Sequence, residues 1–197
     1  MTGKERMIIA MECGKPDRVP LMCQLAVGHY FLHTNYDPVE IWHDGDIFVR
    51  ALVELADRYH FDGILVNLPG RPPDWREWID RREERGNGWR ILWKSGGYTD
   101  VPKDDNAHYF PPEDEPAIPS VAEVNPALCW YAEPHDITGM NYPYRWAFDM
   151  ETRPAGDFFP FYQYDTIETA LKLAGDRLSV HSEIFSPFSQ FMEMFEM

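Results

Sequence analysis

Basic residues are scarce in this chain: 18 Lys plus Arg stand against 33 Asp plus Glu, a formal net charge of −15 over 197 residues. A surface that acidic repels phosphate backbones and anionic lipid headgroups, so neither a nucleic acid nor a membrane is an expected partner. No apolar run approaches the roughly 18 residues needed to cross a bilayer. Cysteine is nearly absent as well. Cys13, Cys23 and Cys129 show no paired metal-ligand spacing, and an odd number cannot close a full disulfide framework, which points to a reducing, cytoplasmic setting. Met1 leads into Lys4, Glu5 and Arg6 without the apolar segment of a signal peptide. Also missing are a G-x-G-x-x-G turn, a Walker-type loop and a G-x-S-x-G elbow, so nucleotide-phosphate and serine-hydrolase chemistry lack support.

What is present suits an ordered core. Hydrophobic residues make up 44% of the chain and aromatics 15%, and the length suits one main domain. Thr2 and Glu5 have capping-box spacing ahead of Met7, Ile8 and Met11, and Gly14 is placed to end that first helix. After the turn at Lys15 to Arg18, the apolar run from Val19 to Gln24 has strand length. Pro38 opens an amphipathic helix carried by Ile47, Phe48, Ala51, Leu52, Leu55 and Ala56. Phe61 to Asn67 then reads as a second strand, apolar at its centre and covered on both faces.

Residues 70–160 interrupt this alternation. Trp89 to Lys94 and Tyr98 to Val101 flank Ser95-Gly96-Gly97, the spacing of a hairpin. Ten of the seventeen prolines lie between Pro102 and Pro160, with an acidic stretch at Glu113-Asp114-Glu115, which predicts a long irregular insertion. Order resumes with a helix from Asp165 that Gly175 ends, a third strand at Leu178 to His181, and a last helix opened by Ser186-Pro187. Strand and helix alternating in this way indicate an α/β chain with a parallel sheet. Three βα units fall short of a closed eightfold barrel, which takes about 250 residues. The expectation is therefore a partial (β/α)8 barrel spanning residues 1–197, a truncated chain that is weakly active or inactive by itself.

Ligands of parallel sheets sit at the carboxyl ends of the strands. That rule nominates Gln24, Asn67, and the pair His181 and Glu183. At spacing two on a strand, His181 and Glu183 project to one face, where an imidazole and a carboxylate together suit proton transfer or metal ligation. The blander alternative is a core histidine with a glutamate capping the next helix. His29 and His33 stand one helical turn apart, a spacing zinc-binding pairs use, with His43 on the next segment, but no third ligand has a recognisable spacing. Trp75, Trp78, Trp89, Trp93 and Tyr98 either line a pocket for a flat ligand or pack a hairpin onto its own domain. Arg71, Arg76, Arg81, Arg82 and Arg85 form a local basic cluster, read most simply as a solvated helix face.

The opening, Lys4-Glu5-Arg6 followed by Lys15-Pro16-Asp17-Arg18-Val19-Pro20, resembles the start of the uroporphyrinogen decarboxylase family. Phe61 to Val66 is similar to that family's second strand, Asp104-Asp105-Asn106 with His108-Tyr109 resembles loops of its bacterial branch, and His181 to Phe188 resembles a strand leading into a Ser-Pro-Phe helix start. The resemblance implies a (β/α)8 barrel of which this chain supplies the amino-terminal half. It covers two chemistries: cofactor-free decarboxylation of the acetate arms of uroporphyrinogen in porphyrin biosynthesis, and corrinoid-linked methyl transfer to a thiol activated by zinc. The decarboxylases carry R-Q-A-G-R after the first strand, where this chain has Leu25-Ala26-Val27-Gly28-His29. With both carboxylate-gripping arginines replaced, the methyltransferase-like branch is favoured. His181 and Glu183 are then the expected catalytic pair. Gln24, His29 and Asn67 are the expected substrate-binding residues, with no metal ligand in this chain. The implied partners are a tetrapyrrole or a methyl donor, with a homo-oligomer or a corrinoid protein left open. A further alternative is a non-catalytic remnant, or a half-barrel completed by a partner.

Overall fold

The computed structural model describes residues 1–110, 112, 122, 162 and 164–182, and within them the chain is mixed α/β. Helix α1 (Gly3–Met11) starts with the expected capping box. The Thr2 hydroxyl accepts from the Glu5 amide at 3.1 Å, and the Glu5 carboxylate accepts from the Thr2 amide at 2.8 Å. A short helix α2 (Val27–His33) follows, which hydrophobic periodicity does not signal.

The segment from Pro38 onward is two helices, α3 (Pro38–His43) and α4 (Gly45–Tyr59), rather than one. Asp44 is the cause. Its backbone is extended, and its carboxylate accepts from the amides of Asp46 at 3.1 Å and Ile47 at 3.2 Å, so it caps a new helix where the old one would have continued. Asp37 caps α3 in the same way, with Pro38 in the first turn. Helix α4 buries Phe48, Val49, Ala51, Leu52, Leu55 and Ala56, each large side chain contributing about 1.5–3 kcal/mol by leaving water.

Strand β1 (Gly63–Val66) begins three residues after a left-handed C-cap at His60 and pairs in parallel with β6 (Ser179–Ser182), which α5 (Asp165–Ala174) precedes. In register, Gly63 faces Ser179, Ile64 faces Val180, Leu65 faces His181 and Val66 faces Ser182. Ile64, Val66 and Val180 join the core with Leu52 and Leu55 of α4 and Ala170 and Ala174 of α5, so both helices cover one face of the two-stranded sheet. Burial alternates from Ile64 through Gly70, which carries the period-two pattern past the end of the strand.

Val19 to Gln24, expected as the first strand, joins no ladder among the described residues. Pro20 has no amide hydrogen to give. The Leu21 amide instead goes to the Asp62 carboxylate at 2.8 Å, while the Leu21 carbonyl accepts from the Asp62 amide at 2.6 Å. Val19 is 86% exposed, which no buried barrel strand tolerates.

The expected hairpin is present and belongs to a larger antiparallel sheet in the order β2 (Ile79–Arg85), β3 (Gly88–Trp93), β4 (Tyr98–Pro102), β5 (His108–Phe110). Gly96 and Gly97 hold φ of 93° and 68° in its turn, a region that L side chains rarely occupy. Arg81, Arg82 and Arg85 of the basic cluster stand on strand β2 rather than on a helix face, because this run pairs with β3 from Ile79 to Arg85, whereas Arg71 and Arg76 precede the strand. Ile91, Trp93, Thr99 and Val101 turn inward from this sheet and join the core around Trp42. Most of the expected Pro-rich insertion, Cys129, Glu183 and the expected helix from Ser186 lie outside the described residues.

Candidate functional site

Asp62, 1% exposed at the entry to β1, is the anchor from which the site is built. Its carboxylate accepts from Arg6, from both terminal nitrogens of Arg18 at 2.7 Å, and from the Leu21 amide. Arg6 also donates to Asp17 at 2.5 and 2.9 Å, a two-bond fork that holds the Asp17 carboxyl down at about 2. The Lys15-Pro16-Asp17-Arg18 turn therefore fastens α1 and the segment from Val19 to Gln24 onto the start of β1. Met22 lies close to the strand: a Cβ added at Gly63 would meet its sulfur at 3.2 Å.

The opposite end of β1 carries the residues nominated from sequence. Side chains of register partners in parallel strands share a face, so Leu65 and His181 project together on the side away from α4 and α5. Alternation places Asn67 on that same side, half-buried, one step beyond Leu65. Asn67 and His181 are thus brought together on one surface at the carboxyl ends of two parallel strands. The Nε2 atom of His181 is buried and has no hydrogen-bond partner among the described residues. A ring nitrogen in that position is available to hydrogen-bond a ligand on this surface.

The other nominated residues lie elsewhere. Gln24 is exposed, at the end of the segment that follows Val19. His29 bonds through Nε2 to the Tyr59 hydroxyl at 2.9 Å, at the end of α4 from which the chain turns into β1, so its contacts are at the amino end of that strand. Burial, and then the neighbouring His33 with its ring centroid 4.2 Å away, push the His29 pKa down. The one-turn spacing of these two histidines is realised in α2. No group of three His, Cys, Asp or Glu side chains able to hold a metal is present among the described residues.

No family model, curated protein or solved structure matches this chain.

Electrostatics around the site are set by paired charges. Arg76 contacts Glu40 and Asp44, Arg81 and Arg85 contact Glu83, Arg82 contacts Asp37, and Arg90 contacts Asp100. Four members of the basic cluster, Arg76, Arg81, Arg82 and Arg85, are therefore compensated by acids rather than left as a free positive surface, while the fifth, Arg71, is buried and donates to the Trp42 carbonyl. The tryptophans mostly pack the antiparallel sheet onto the core: Trp75 and Trp93 are each 3% exposed and flank His43, with ring centroids 5.1 and 5.4 Å from it. Sequence reasoning missed the cavity of about 270 Å³ beside them, formed where the first turns of α4 and α5 meet the chain after β1. Its signal was the second cap at Asp44-Gly45, which ends α3 at His43.

Proposed function

We propose that this chain is a uroporphyrinogen decarboxylase-like α/β protein whose β1–β6 surface works on or through a tetrapyrrole macrocycle, with methyl transfer involving a corrinoid as the favoured chemistry. The observation that carries the reading is the parallel register of β1 and β6, which sets His181 beside Leu65 and one step from Asn67, opposite the helices. That is where parallel α/β enzymes keep their ligands. In this reading the His181 imidazole holds the proton of the group being activated, Asn67 orients a polar edge of the ligand, and Leu65 and Met22 supply the apolar floor. A partial barrel agrees with the arrangement, because among the described residues the parallel ladder has two strands, each with an open edge that further strands would close.

Cofactor-free decarboxylation of uroporphyrinogen is the second reading. Its substrate bears many carboxylates and requires uncompensated cations, whereas Arg76, Arg81, Arg82, Arg85 and Arg90 are matched to acids and the whole chain carries −15. The charge balance disfavours it.

Titration with methylcobalamin, followed by tryptophan fluorescence, tests the favoured reading. Saturable quenching is expected, weakened about tenfold or more in Asn67→Ala and His181→Gln with melting temperatures close to the parent's. With a thiol added, demethylation is followed by absorbance, and His181→Gln should slow any turnover about 10²-fold or more. Conversion of uroporphyrinogen without corrinoid binding would establish the second reading. Binding of neither macrocycle would remove both.

A further inference from the structure

A cavity of about 270 Å³ lies on the helix side of the sheet, where the first turns of α4 and α5 meet the chain that follows β1. Its buried lining includes His43, Arg71, Trp75 and Thr166, while Asp46 and Asp165 are exposed at its rim. Most of this lining is already engaged. The Thr166 hydroxyl donates to the Pro69 carbonyl at 3.1 Å, and Arg71 donates through Nε to the Trp42 carbonyl at 3.2 Å. The Asp44 carboxylate is taken by Arg76 and the α4 amides, and Asp46 accepts from the Thr169 hydroxyl at 2.8 Å.

Two buried polar atoms are left over. His43 is fully buried, and its Nδ1 sits 2.8 Å from the Val39 carbonyl. A carbonyl only accepts, so Nδ1 carries the hydrogen and Nε2 presents a lone pair. That Nε2 atom has no hydrogen-bond partner among the described residues, and neither has the indole N–H of Trp75, a residue 3% exposed. The two rings stack at 22° with centroids 5.1 Å apart, so this acceptor and this donor are held as one rigid pair. Unsatisfied buried groups are rare in native structures, and each calls for a partner.

The charges around the pair restrict what that partner is. Burial first, and then Arg71 and Arg76, keep a proton off His43 against the pull of Val39, and the same two guanidinium groups disfavour a cationic ligand. An anion finds those guanidinium groups engaged and carboxylates at the rim. A flat aromatic finds the Trp75 ring stacked on His43 and covered by Arg76 at 4.4 Å. What remains is a neutral group that both donates and accepts, and a hydroxyl does so through one atom. A space of this size holds several waters at about 30 Å³ each, and hydroxyls on a short carbon skeleton can take over their hydrogen bonds.

We propose that this cavity binds a small neutral polyhydroxyl compound, a polyol or a monosaccharide. One hydroxyl donates to His43 Nε2, the same or a neighbouring hydroxyl accepts from the Trp75 N–H, and another donates to the Asp165 carboxylate at the rim. The site is independent of Asn67 and His181, which lie on the other face of the sheet.

Nitrogen-15 magnetic resonance of the labelled whole chain, titrated with glycerol, xylitol, myo-inositol and glucose up to about 100 mM each, reads affinities into the millimolar range. At least one should shift the His43 Nε2 and Trp75 indole resonances saturably and with one midpoint. Saturation is the criterion, because polyols stabilise folded chains in general by exclusion from their surfaces. Propionate, propylamine and 1,2-dimethoxyethane, a glycol whose hydroxyl hydrogens are replaced, should bind about tenfold more weakly or not at all. Trp75→Phe removes the indole donor and keeps an aromatic ring, and should weaken the polyol about tenfold. Asn67→Ala should leave the titration unchanged. The parent titration reads the site whether or not Trp75→Phe folds. The proposal is overturned if no polyol moves the two resonances saturably, as for a cavity that holds water only. It is also overturned if a control solute binds equally well, or if folded Trp75→Phe binds as the parent does.

Discussion

Replacing Asp62 by Asn tests whether the Asp17-Arg18 turn is held by its buried carboxylate or merely decorates the surface. In the native chain one carboxylate, 1% exposed, serves two guanidinium groups and a backbone amide. Asn keeps the volume but offers one acceptor oxygen and an NH₂ that faces donors. Arg6, with a side chain 8% exposed, stays buried beside Asp17, whereas Arg18, 48% exposed, can turn to water. Breaking a buried ion pair on one side costs roughly 3–5 kcal/mol, and the surviving acceptor and the mobility of Arg18 put this case near the lower end. For a chain of this length, about 3 kcal/mol lowers the melting temperature by roughly 6–12 °C. The sign is informative, because removing one negative charge from a chain at −15 relieves long-range repulsion and would otherwise favour the fold. Thermal unfolding followed by circular dichroism is the assay, with Arg18→Gln as the comparison, expected to cost about 1 kcal/mol or less. A melting temperature for Asp62→Asn within about 2 °C of the parent would refute the reasoning, as would a loss no larger than that of Arg18→Gln.

Burial, opposed by the hydrogen bond to Val39 and helped by Arg71 and Arg76, pushes the His43 pKa down to about 3, so the unfolded chain binds the extra proton between there and the ordinary 6.5. Stability from this group is complete above 6.5 and drains away as pH falls toward 3. His43→Gln should flatten the pH dependence of the melting temperature in that window, and an unchanged slope would assign the dependence to other groups. The Asp17 carboxyl, held at about 2 by Arg6 against an ordinary 3.8, contributes stability that is present above 3.8 and lost on acidification toward 2. Asp17→Asn should remove that part of the acid dependence in urea titrations, and a slope identical to the parent's would contradict it. Gly28 packs directly on the backbone of Asp104 and Asp105, where an added Cβ would collide with main chain. Gly28→Ala should cost about 1–3 kcal/mol, and a melting temperature equal to the parent's would show that this contact gives way freely.

The legible parts of the fold were those in which local chemistry and packing agree. Thr2 and Glu5 announce a capping box and form one, and Gly96-Gly97 announce a turn needing positive φ and supply it. The parallel strands around Ile64 and Val180 were readable from their short apolar runs, but the expected cover on both faces is not found: burial alternates along β1, with Ile64 and Val66 buried and Leu65 half-buried. Val19 to Gln24 misled for a reason located elsewhere in the chain: the Leu21 amide is taken by a carboxylate 41 residues away, which no pattern within the segment can report. The division at Asp44 was readable in principle, since Asp37-Pro38 and Asp44-Gly45 are both cap signals, but the apolar period continues across the break and conceals it. For the site, strand-end placement brought Asn67 and His181 to one face. His29 answered instead to Tyr59, a side-chain contact spanning 30 residues.

Strand β1 separates the two candidate sites, and its alternation decides what each can do. Leu65 and Asn67 face the side shared with His181, while Val66 and Leu68 face the helices and join the core with Trp42 and Trp75, beside the His43 cavity. A rigid strand with apolar packing on its helix side transmits little unless its register changes, and register is fixed at its start by Asp62 bonding to both the amide of Leu21 and the guanidinium of Arg18. An occupant of the cavity that tightens the α4–α5 contact would therefore stabilise the chain without altering the His181 face. A change on that face caused by the cavity ligand would require the Asp62 anchor to move, and so Asp62→Asn is the variant in which coupling between the two sides should first become measurable.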